Sequence, residues 1–535
     1  MTAARLDRVA LTGVVVSLAA LQLWLRPLLP VDETRYLAVA WEMWVRGDFL
    51  VPWLNGEPYS HKPPLLFWLI HALWALFGVS ELAARLLPVG LSLAALWASL
   101  RLSERLWPAS GTAARGLVPW LLFGGLFWSN FYSLVQFDLL LVLAALGAWH
   151  GMLTALSDPL RGWLLTGVAV GLGVLAKGPV VLVPVLPAAL LAPWWTGSPP
   201  PAGWGRWYAG ALAALLLGAA TALAWALPAG LAGGEAYRQA IFWGQSAGRV
   251  LDSFAHRNPW WSYLLWLPLM WLPWVAWPQL WRALHRQRRL DQGARFCLAV
   301  VLPALLVFSL ISGKQPKYLL PLFPLIAAWS ARALVLAESV DRSFRMAFLA
   351  ALLGGSGIAL AVVPWLDVGP EWLARVQSLW GLALLVWALM FGFLRLRLEA
   401  LVRVTALGTA LWTAVVYLAV MEPARPVLDV APASQVVARL QADGHSLAHL
   451  GRYHGQFHFH GRLRKRIEPL RSTDELLSWL RANTQGYLVV NYKTPRPDVP
   501  ASLPVYPYRG GSLVLWPVTR LLADPARLDA LPGKA

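Results

Sequence analysis

Cysteine is almost absent. Cys297 stands alone in 535 residues, which excludes an intrachain disulfide and leaves the redox compartment unreadable from cysteine spacing. Charge is scarce as well: Asp, Glu, Lys and Arg make up 13% of the chain, against 58% hydrophobic residues. Soluble domains carry about a quarter charged residues, so an ordinary soluble protein is excluded and a membrane protein is expected. Acids are the scarcer sign, with 27 Asp and Glu against 45 Lys and Arg and a formal charge of +18. A nucleic-acid binder shares such a charge but not this hydropathy, so nucleic acid is not an expected partner. Internal repeats of the solenoid kind are also lacking. The first apolar run has no small-residue cleavage site, so it reads as a retained helix, not a removed signal.

What the chain does have is tryptophan, 33 residues of it, a side chain that favours membrane interfaces. Hydropathy predicts about 13 spans of near bilayer length. They fall near 9–29, 82–103, 116–134, 138–156, 160–176, 178–195, 207–229, 261–282, 295–312, 316–334, 345–365, 375–396 and 401–420. With the N-terminus in the cytoplasm, alternate loops carry Arg101 and Arg105, Arg161, Arg206, Arg282 and Arg286, Arg332, and Arg395 and Arg397. That is the pattern of positive charge retained inside. It leaves 31–81, the turns near 135–138 and 177–179, 230–260, 312–318 and 366–374 outside, with the C-terminal tail. Leu65 to Phe77 is apolar but short, and follows Pro63-Pro64, so an interfacial helix is expected there.

The first outer loop, Val31 to Pro64, is the earliest long polar interruption. It gathers Asp32, Glu33, Arg35, Glu42, Arg46, Asp48, Glu57, His61 and Lys62 beside six aromatic residues. Other charges assigned to the outer face are Arg85, Asp138, Lys177, Arg249, Asp252, His256, Arg257, Lys314 and Lys317. Charges beside long apolar segments are costly unless used or paired. A few acids facing many bases suit a site that binds a lipid phosphate and transfers what it carries. Beyond about Val427 the composition turns polar. Ser472 to Glu475 opens an amphipathic helix near 473–483, and Gly486–Asn491 and Ser512–Leu515 read as strands. The fold class is thus a mostly α polytopic membrane protein with a small C-terminal α/β extracytoplasmic domain, divided at 1–425 and 426–535.

Several segments carry a resemblance. DETRYLAVAWEMWVRGDFLVPWLNGEPYSHKPPLLFW resembles the first outer loop of ArnT-like glycosyltransferases, the aminoarabinose transferases of lipid A and their relatives. These belong to the protein-mannosyltransferase-like GT-C group. ELAARLLPVGL, FYSLVQFDLLLVL, GLGVLAKGPVVLVP, NPWWSYLLWLPLMWLPW and SGKQPKYLLPLFPLIAAW have counterparts there in the same order. HLGRYHGQFHFHGRLRKRI resembles the family's small periplasmic domain more loosely. The likeness covers about residues 8–335 well. It implies inverting transfer of a sugar from a polyprenyl (undecaprenyl) phosphate to a lipid such as lipid A, or to another glycan or protein acceptor. The reaction would run at the periplasmic face of a bacterial inner membrane. Where aminoarabinose transferases often read Phe-Glu-Lys-Pro, this chain has Ser60-His61-Lys62-Pro63, which loses a carboxylate suited to an aminosugar.

The chemistry assigns roles within that reading. Leaving polyprenyl phosphate gains negative charge, and fixed cations aimed at it favour the transition state. Lys62, Arg257 and Lys317 are the candidates, with Tyr318 as a donor and Lys177 as a further cation. Asp32 is the natural base for a hydroxyl acceptor, or an orienter of bases for a phosphate acceptor. Glu33 stands beside it, and Asp138 is the second acid. Arg35, Tyr36 and Tyr59 are placed as substrate-positioning residues. No cofactor and no catalytic metal are expected, although His61 and His256 invite a zinc reading. His445, His449, His454, His458 and His460 read as a solvated face, with a metal cluster as the rival. A transporter or lipid-linked-sugar flippase is the alternative function, but it calls for ionisable groups at mid-membrane and repeated halves.

Overall fold

The computed structural model describes residues 3–108, 112–244, 258–287, 290–338, 344–366, 369–493 and 499–532. Its first elements are α1 (Ala3–Leu25), α2 (Asp32–Arg46), the two-residue strands β1 (Trp53–Leu54) and β2 (Glu57–Pro58), α3 (Leu65–Phe77), α4 (Glu81–Leu106), α5 (Thr112–Phe123), α6 (Leu126–Phe131), α7 (Asp138–Ala155) and α8 (Pro159–Lys177). Among the described residues nine helices are long and apolar enough to cross a membrane, and three more apolar helices are shorter. The segments expected as spans at 116–134, 178–195 and 261–282 are broken helices. The first divides at Gly124-Gly125 into α5 and α6. The second divides into Pro179–Val181, Leu182–Leu190 and Ala192–Thr196, and the third into Ser262–Met270, Trp274–Ala276 and Pro278–Arg286. Proline begins or interrupts several of these pieces, because it lacks the N–H that a helix interior needs.

α7 and α8 form an antiparallel pair that positions two charges. Asp158 starts α8 by accepting from the Arg161 N–H at 3.2 Å, so the chain reverses within a short turn. Small residues then let the backbones close: a Cβ on Gly151 or Gly162 would collide with α8 or α7 respectively. Close packing of this kind drives helix association where lipid tails supply no hydrophobic force. The reversal sets the first residue of α7, Asp138, against the last of α8, Lys177.

α2 opens on Asp32 and Glu33, acids that suit a helix N-terminus, and ends at Gly47 in the left-handed conformation (φ +68°). Asp48 then stops the chain by accepting from the Leu50 and Val51 amides and the Trp53 indole. β1 and β2 pair through Asn55-Gly56, with φ +55° and +82°. This dipeptide favours the tight turn of a two-residue hairpin.

From Ala431 the chain builds a second layer. The strands β3 (Phe344–Arg345) and β4 (Arg395–Leu396) pair separately, earlier in the chain. The sheet that follows has five strands, β5 (Leu447–Leu450), β6 (Glu468–Leu470), β7 (Tyr487–Tyr492), β8 (Val505–Tyr508) and β9 (Gly511–Pro517), in the order β6-β5-β7-β9-β8. β5 runs parallel to β6 and β7, and the remaining pairs are antiparallel. Side chains alternate as the pleat requires. Leu488, Val490, Val514 and Trp516 pack on the face covered by Thr473–Ala482, and Val489, Leu513 and Leu515 on the face covered by Ala431–Ala442. Ser472 and Glu475 make a reciprocal capping box at the start of Thr473–Ala482.

This layer sits on the polar loop 31–64. The Asn55 amide donates to the Ile467 carbonyl at 2.8 Å and accepts from its N–H at 2.9 Å. Trp41 donates to the Leu463 carbonyl, and Trp74 stacks on Phe459 with ring centroids 5.6 Å apart. Removing one partner of a buried hydrogen bond costs about 1–3 kcal/mol. Asn55→Ala leaves two main-chain groups unsatisfied and is expected to loosen this docking by about that amount. Faster limited proteolysis between the two layers, with helix content unchanged, is the measurement.

Candidate active site

Three side chains converge on Asp32. It is the first residue of α2, and its side chain is 36% exposed. Lys317, from the 3₁₀ turn Pro316–Leu322, donates to its Oδ2 at 3.0 Å. Arg35, one turn along α2, donates to Oδ1 at 2.5 Å. Gln136, in the turn before α7, donates to Oδ2 at 3.4 Å and accepts from Lys317 at 3.2 Å. A second acid–cation pair stands alongside: Lys177 donates to Asp138, both nearly fully buried, and the Lys177 ammonium lies 4.4 Å from the centre of the Tyr318 ring. Tyr318 adjoins Lys317 in sequence, so the two pairs form one constellation. Lys62 approaches from the first loop, with its ammonium 5.6 Å from the centre of the Phe137 ring. Tyr36 packs edge-on against the same ring at 4.9 Å, and the buried Tyr59 lies 5.3 Å from His61.

Glu33 does not join this constellation. It is 1% exposed and forms an ion pair with Arg26. It also accepts from the Leu29 amide at 3.0 Å and the Val135 amide at 2.9 Å. Arg26 in turn donates to the Ser133 carbonyl at 3.0 Å. Both oxygens of Glu33 are occupied, and the carboxylate locks the entrance of α2 to the turn that carries Gln136. Its geometry is that of a positioning residue. Lys314 is likewise occupied, donating to the Asn258 and Ile311 carbonyls, and Arg85 to Glu81 and the Arg26 carbonyl. Arg249, Asp252, His256 and Arg257 lie outside the described residues.

The histidines of the C-terminal layer do not form the solvated face expected of them. His449 and His458 are buried. His458 Nδ1 meets the Tyr453 hydroxyl at 2.8 Å. His449 Nε2 meets the Asn491 amide at 3.1 Å. Among the described residues no group of three or more His, Cys, Asp or Glu is arranged to hold a metal ion. Sequence reasoning missed Gln136 and Arg26. Each is a lone polar side chain in an apolar stretch, and that was the available signal.

Burial alone raises a carboxyl pKa. At Asp32 it is outweighed by the Lys317 ammonium and the Arg35 guanidinium, which with the hydrogen bonds from Lys317 and Gln136 hold the carboxyl at about 2. Because that lies below the ordinary 3.8, the charged pair contributes stability above the ordinary value and loses it as pH falls toward 2. Asp32 therefore stays ionised across the neutral range. Arg35→Ala removes one of the two opposing charges, so the Asp32 pKa is expected to rise and any acidic limb of activity to shift upward. A pH–rate profile of the variant beside wild type measures this.

The family model for dolichyl-phosphate-mannose-protein mannosyltransferase matches residues 61–226. An undecaprenyl phosphate-alpha-4-amino-4-deoxy-L-arabinose arabinosyl transferase of Pseudomonas aeruginosa (strain LESB58) is 31% identical over 345 residues, which are 63% of this chain and 61% of the relative. The chain thus spans about three fifths of the length of that relative. The enzyme of the same name from Enterobacter sp. (strain 638) is 29% identical over 75% of this chain and 73% of its own length. Among solved structures, ArnT from Cupriavidus metallidurans bound to undecaprenyl phosphate superposes with a TM-score of 0.71, at 19% identity, over 95% of this chain and 97% of that one. The apo oligosaccharyltransferase of Archaeoglobus fulgidus gives a TM-score of 0.54 at 12% identity, over 90% of this chain and 69% of that one. By sequence over 63% of its length the chain is similar to the Pseudomonas arabinosyl transferase, and over 95% of its length it shares the fold of the Cupriavidus ArnT; it is a multi-pass membrane protein, with nine helices among the described residues long and apolar enough to cross a membrane.

Proposed function

We propose that this protein is an inverting glycosyltransferase that moves a sugar from undecaprenyl phosphate to a lipid acceptor such as lipid A. The observation that carries the reading is the joined pair of acid–cation contacts, Asp32 with Lys317 and Asp138 with Lys177, at adjoining helix ends beside Lys62. The P. aeruginosa relative is named for a reaction with an undecaprenyl phosphate sugar, and the Cupriavidus structure holds undecaprenyl phosphate in the same fold. Loop charge supports a cytoplasmic N-terminus and a periplasmic site at the inner membrane. On that reading residues 1–425 are the transferase body, and 426–535 a periplasmic unit docked on the first loop.

In the proposed step an acceptor oxygen bonds to the anomeric carbon while the bond from that carbon to the donor phosphate oxygen breaks. The electron pair leaves with undecaprenyl phosphate. Lys62, Lys317 and Lys177 face the charge that develops there, with Tyr318 and Arg257 as further donor-side groups. General bases work best with a pKa near the operating pH, and Asp32 sits at about 2. That favours an acceptor whose oxygen is already ionised, such as a phosphate, with Asp32 fixing Lys317 and Arg35 rather than removing a proton. The flippase alternative is disfavoured because the charged set gathers at helix ends and no repeated halves are visible.

Binding of labelled undecaprenyl phosphate to the full-length protein tests the donor side. Lys62→Ala and Lys317→Ala are each expected to weaken it by about tenfold. Wild-type affinity in both variants would reject the assigned phosphate site.

A further inference from the structure

Lys317 engages two acceptors at once. Its ammonium donates to Asp32 Oδ2 at 3.0 Å and to Gln136 Oε1 at 3.2 Å. Gln136 Nε2 donates to the same Oδ2 at 3.4 Å, so the three side chains close a ring of hydrogen bonds. The ring fixes which way the amide points. An ammonium can only donate and a carboxylate can only accept, so the amide oxygen faces Lys317 and the nitrogen faces Asp32. The amide is also neutral. Two cations, Lys317 and Arg35, meet one anion, Asp32. Gln136 gives Lys317 a second acceptor without cancelling that surplus of positive charge, which a carboxylate in its place would do.

The main chain on both sides of Gln136 is pinned. The Ser133 carbonyl accepts from Arg26 at 3.0 Å, and the Val135 amide donates to Glu33 at 2.9 Å. On the other side, the Phe137 ring packs edge-on against Tyr36 of α2 at 4.9 Å and Phe67 of α3 at 5.6 Å. Val135 and Phe137 are buried, and Gln136 is 7% exposed. The amide therefore works from a fixed base. Lysine does not, because its ammonium is a point charge on a flexible four-carbon stem. One acceptor fixes a bond. Two acceptors fix the rotation of the ammonium, and with it the direction of the third N–H. Asp138, which holds Lys177, lies two residues farther along, so one turn of chain sets both acid–cation pairs.

We propose that Gln136 is a positioning residue for the transfer: it clamps Lys317 against Asp32, orients the third N–H of that ammonium for the donor phosphate, and keeps the local charge positive. The role rests on the transferase reading, which makes Lys317 a phosphate-binding group. Gln136 acts through Lys317 and Asp32 and not on the sugar.

Gln136→Glu gives a readout that a scaffold role would not. Around position 136 stand Asp32 and Arg35 on α2, Lys317, Lys62 against the Phe137 ring, and the Asp138–Lys177 pair. Ionised, the new carboxylate still accepts from Lys317, but it loses the donor to Asp32 and repels phosphate. Protonated, it restores both contacts, its carbonyl accepting from Lys317 and its hydroxyl donating to Asp32. Two carboxyl groups within hydrogen-bond reach resist losing both protons, so one pKa of the pair rises.

The test uses the full-length protein in nanodiscs of zwitterionic phosphatidylcholine, with labelled undecaprenyl phosphate as the probe. Binding is measured from about pH 8 down to about pH 5, the range that brackets a raised carboxyl pKa. Gln136→Met, similar in length and without a polar end, is expected to weaken binding about tenfold and lower kcat about tenfold or more, with a thermal midpoint near that of wild type. Gln136→Glu is expected to bind about tenfold or more weakly than wild type at the alkaline end and to approach wild type at the acidic end. Each value is taken as a ratio to wild type at the same pH, because the phosphate probe titrates as well. Wild-type binding and kcat in Gln136→Met would overturn the proposal. So would a Gln136→Glu deficit that does not change with pH, which would leave the amide a scaffold group only. That ratio decides the matter even where Gln136→Met lowers the thermal midpoint. Weakened binding with the acid recovery, but no sugar transferred by wild type from any donor, would reject the transferase reading and leave the phosphate clamp standing.

Discussion

Asp32→Asn is expected to cut transfer by about 10²- to 10⁴-fold, the range found when a positioned acid, base or electrostatic group is removed from an active site. The change keeps the volume of the side chain and removes its charge. Lys317 and Arg35 then lose the anion that holds them 3.0 and 2.5 Å from one carboxylate. They are freed to turn toward other anions, so donor binding is expected to hold or tighten while kcat falls. That split separates a positioning carboxylate from a donor-binding one. Single-turnover rates and undecaprenyl phosphate affinity, measured on the same preparation, give both quantities. A variant with wild-type kcat would remove Asp32 from the mechanism.

The adjacent acid is expected to behave in the opposite way. Glu33→Ala leaves the Arg26 guanidinium buried without its counter-ion, and breaking a buried pair from one side costs about 3–5 kcal/mol. It also strands the Leu29 and Val135 amides that Glu33 satisfies. A large fall in the thermal midpoint in detergent is expected, with the folded fraction still catalysing transfer at a rate within a few-fold of wild type. The double variant Arg26→Met/Glu33→Leu removes both charges together and is expected to recover most of the lost stability. Unchanged stability with lost chemistry would return Glu33 to the reaction itself. Two consecutive acids at one helix start thus separate into a partly exposed one facing the site and a buried one facing the scaffold.

Much of this arrangement could be read before the structure, and the rest could not for definite physical reasons. Asp32, Asp138, Lys177 and Lys317 stood out because charges beside long apolar runs are costly unless partnered. The pairing of Asp138 with Lys177 was not legible, since it depends on the short reversal at Asp158 that sets the start of α7 against the end of α8, and that of Asp32 with Lys317 joins segments far apart in the chain. The hairpin at Asn55-Gly56 was legible and overlooked, for that dipeptide is a strong local turn signal. Its second role was not: the Asn55 amide holds Ile467, and no local rule points across such a distance. Hydropathy marked the broken helices as spans because it averages over the prolines and the Gly124-Gly125 break that interrupt them. In the C-terminal layer, the helix at Thr473 announced itself through its capping box. The strands β5, β6 and β8 are only three or four residues long and gave no period-2 signal of use. The histidines were misread as a solvated face because composition cannot report that His449 and His458 are hydrogen-bonded in the interior.

The central claim is that a glycosidic bond is broken at this site. The direct measurement supplies sealed proteoliposomes containing the purified protein with undecaprenyl phosphate sugar and lipid A, and follows both lipids by mass spectrometry. The account predicts lipid A heavier by one sugar residue and an equal amount of free undecaprenyl phosphate, with both products lost in the Asp32→Asn variant. Intact donor that only changes leaflet, with no undecaprenyl phosphate released, would contradict it and identify a translocator.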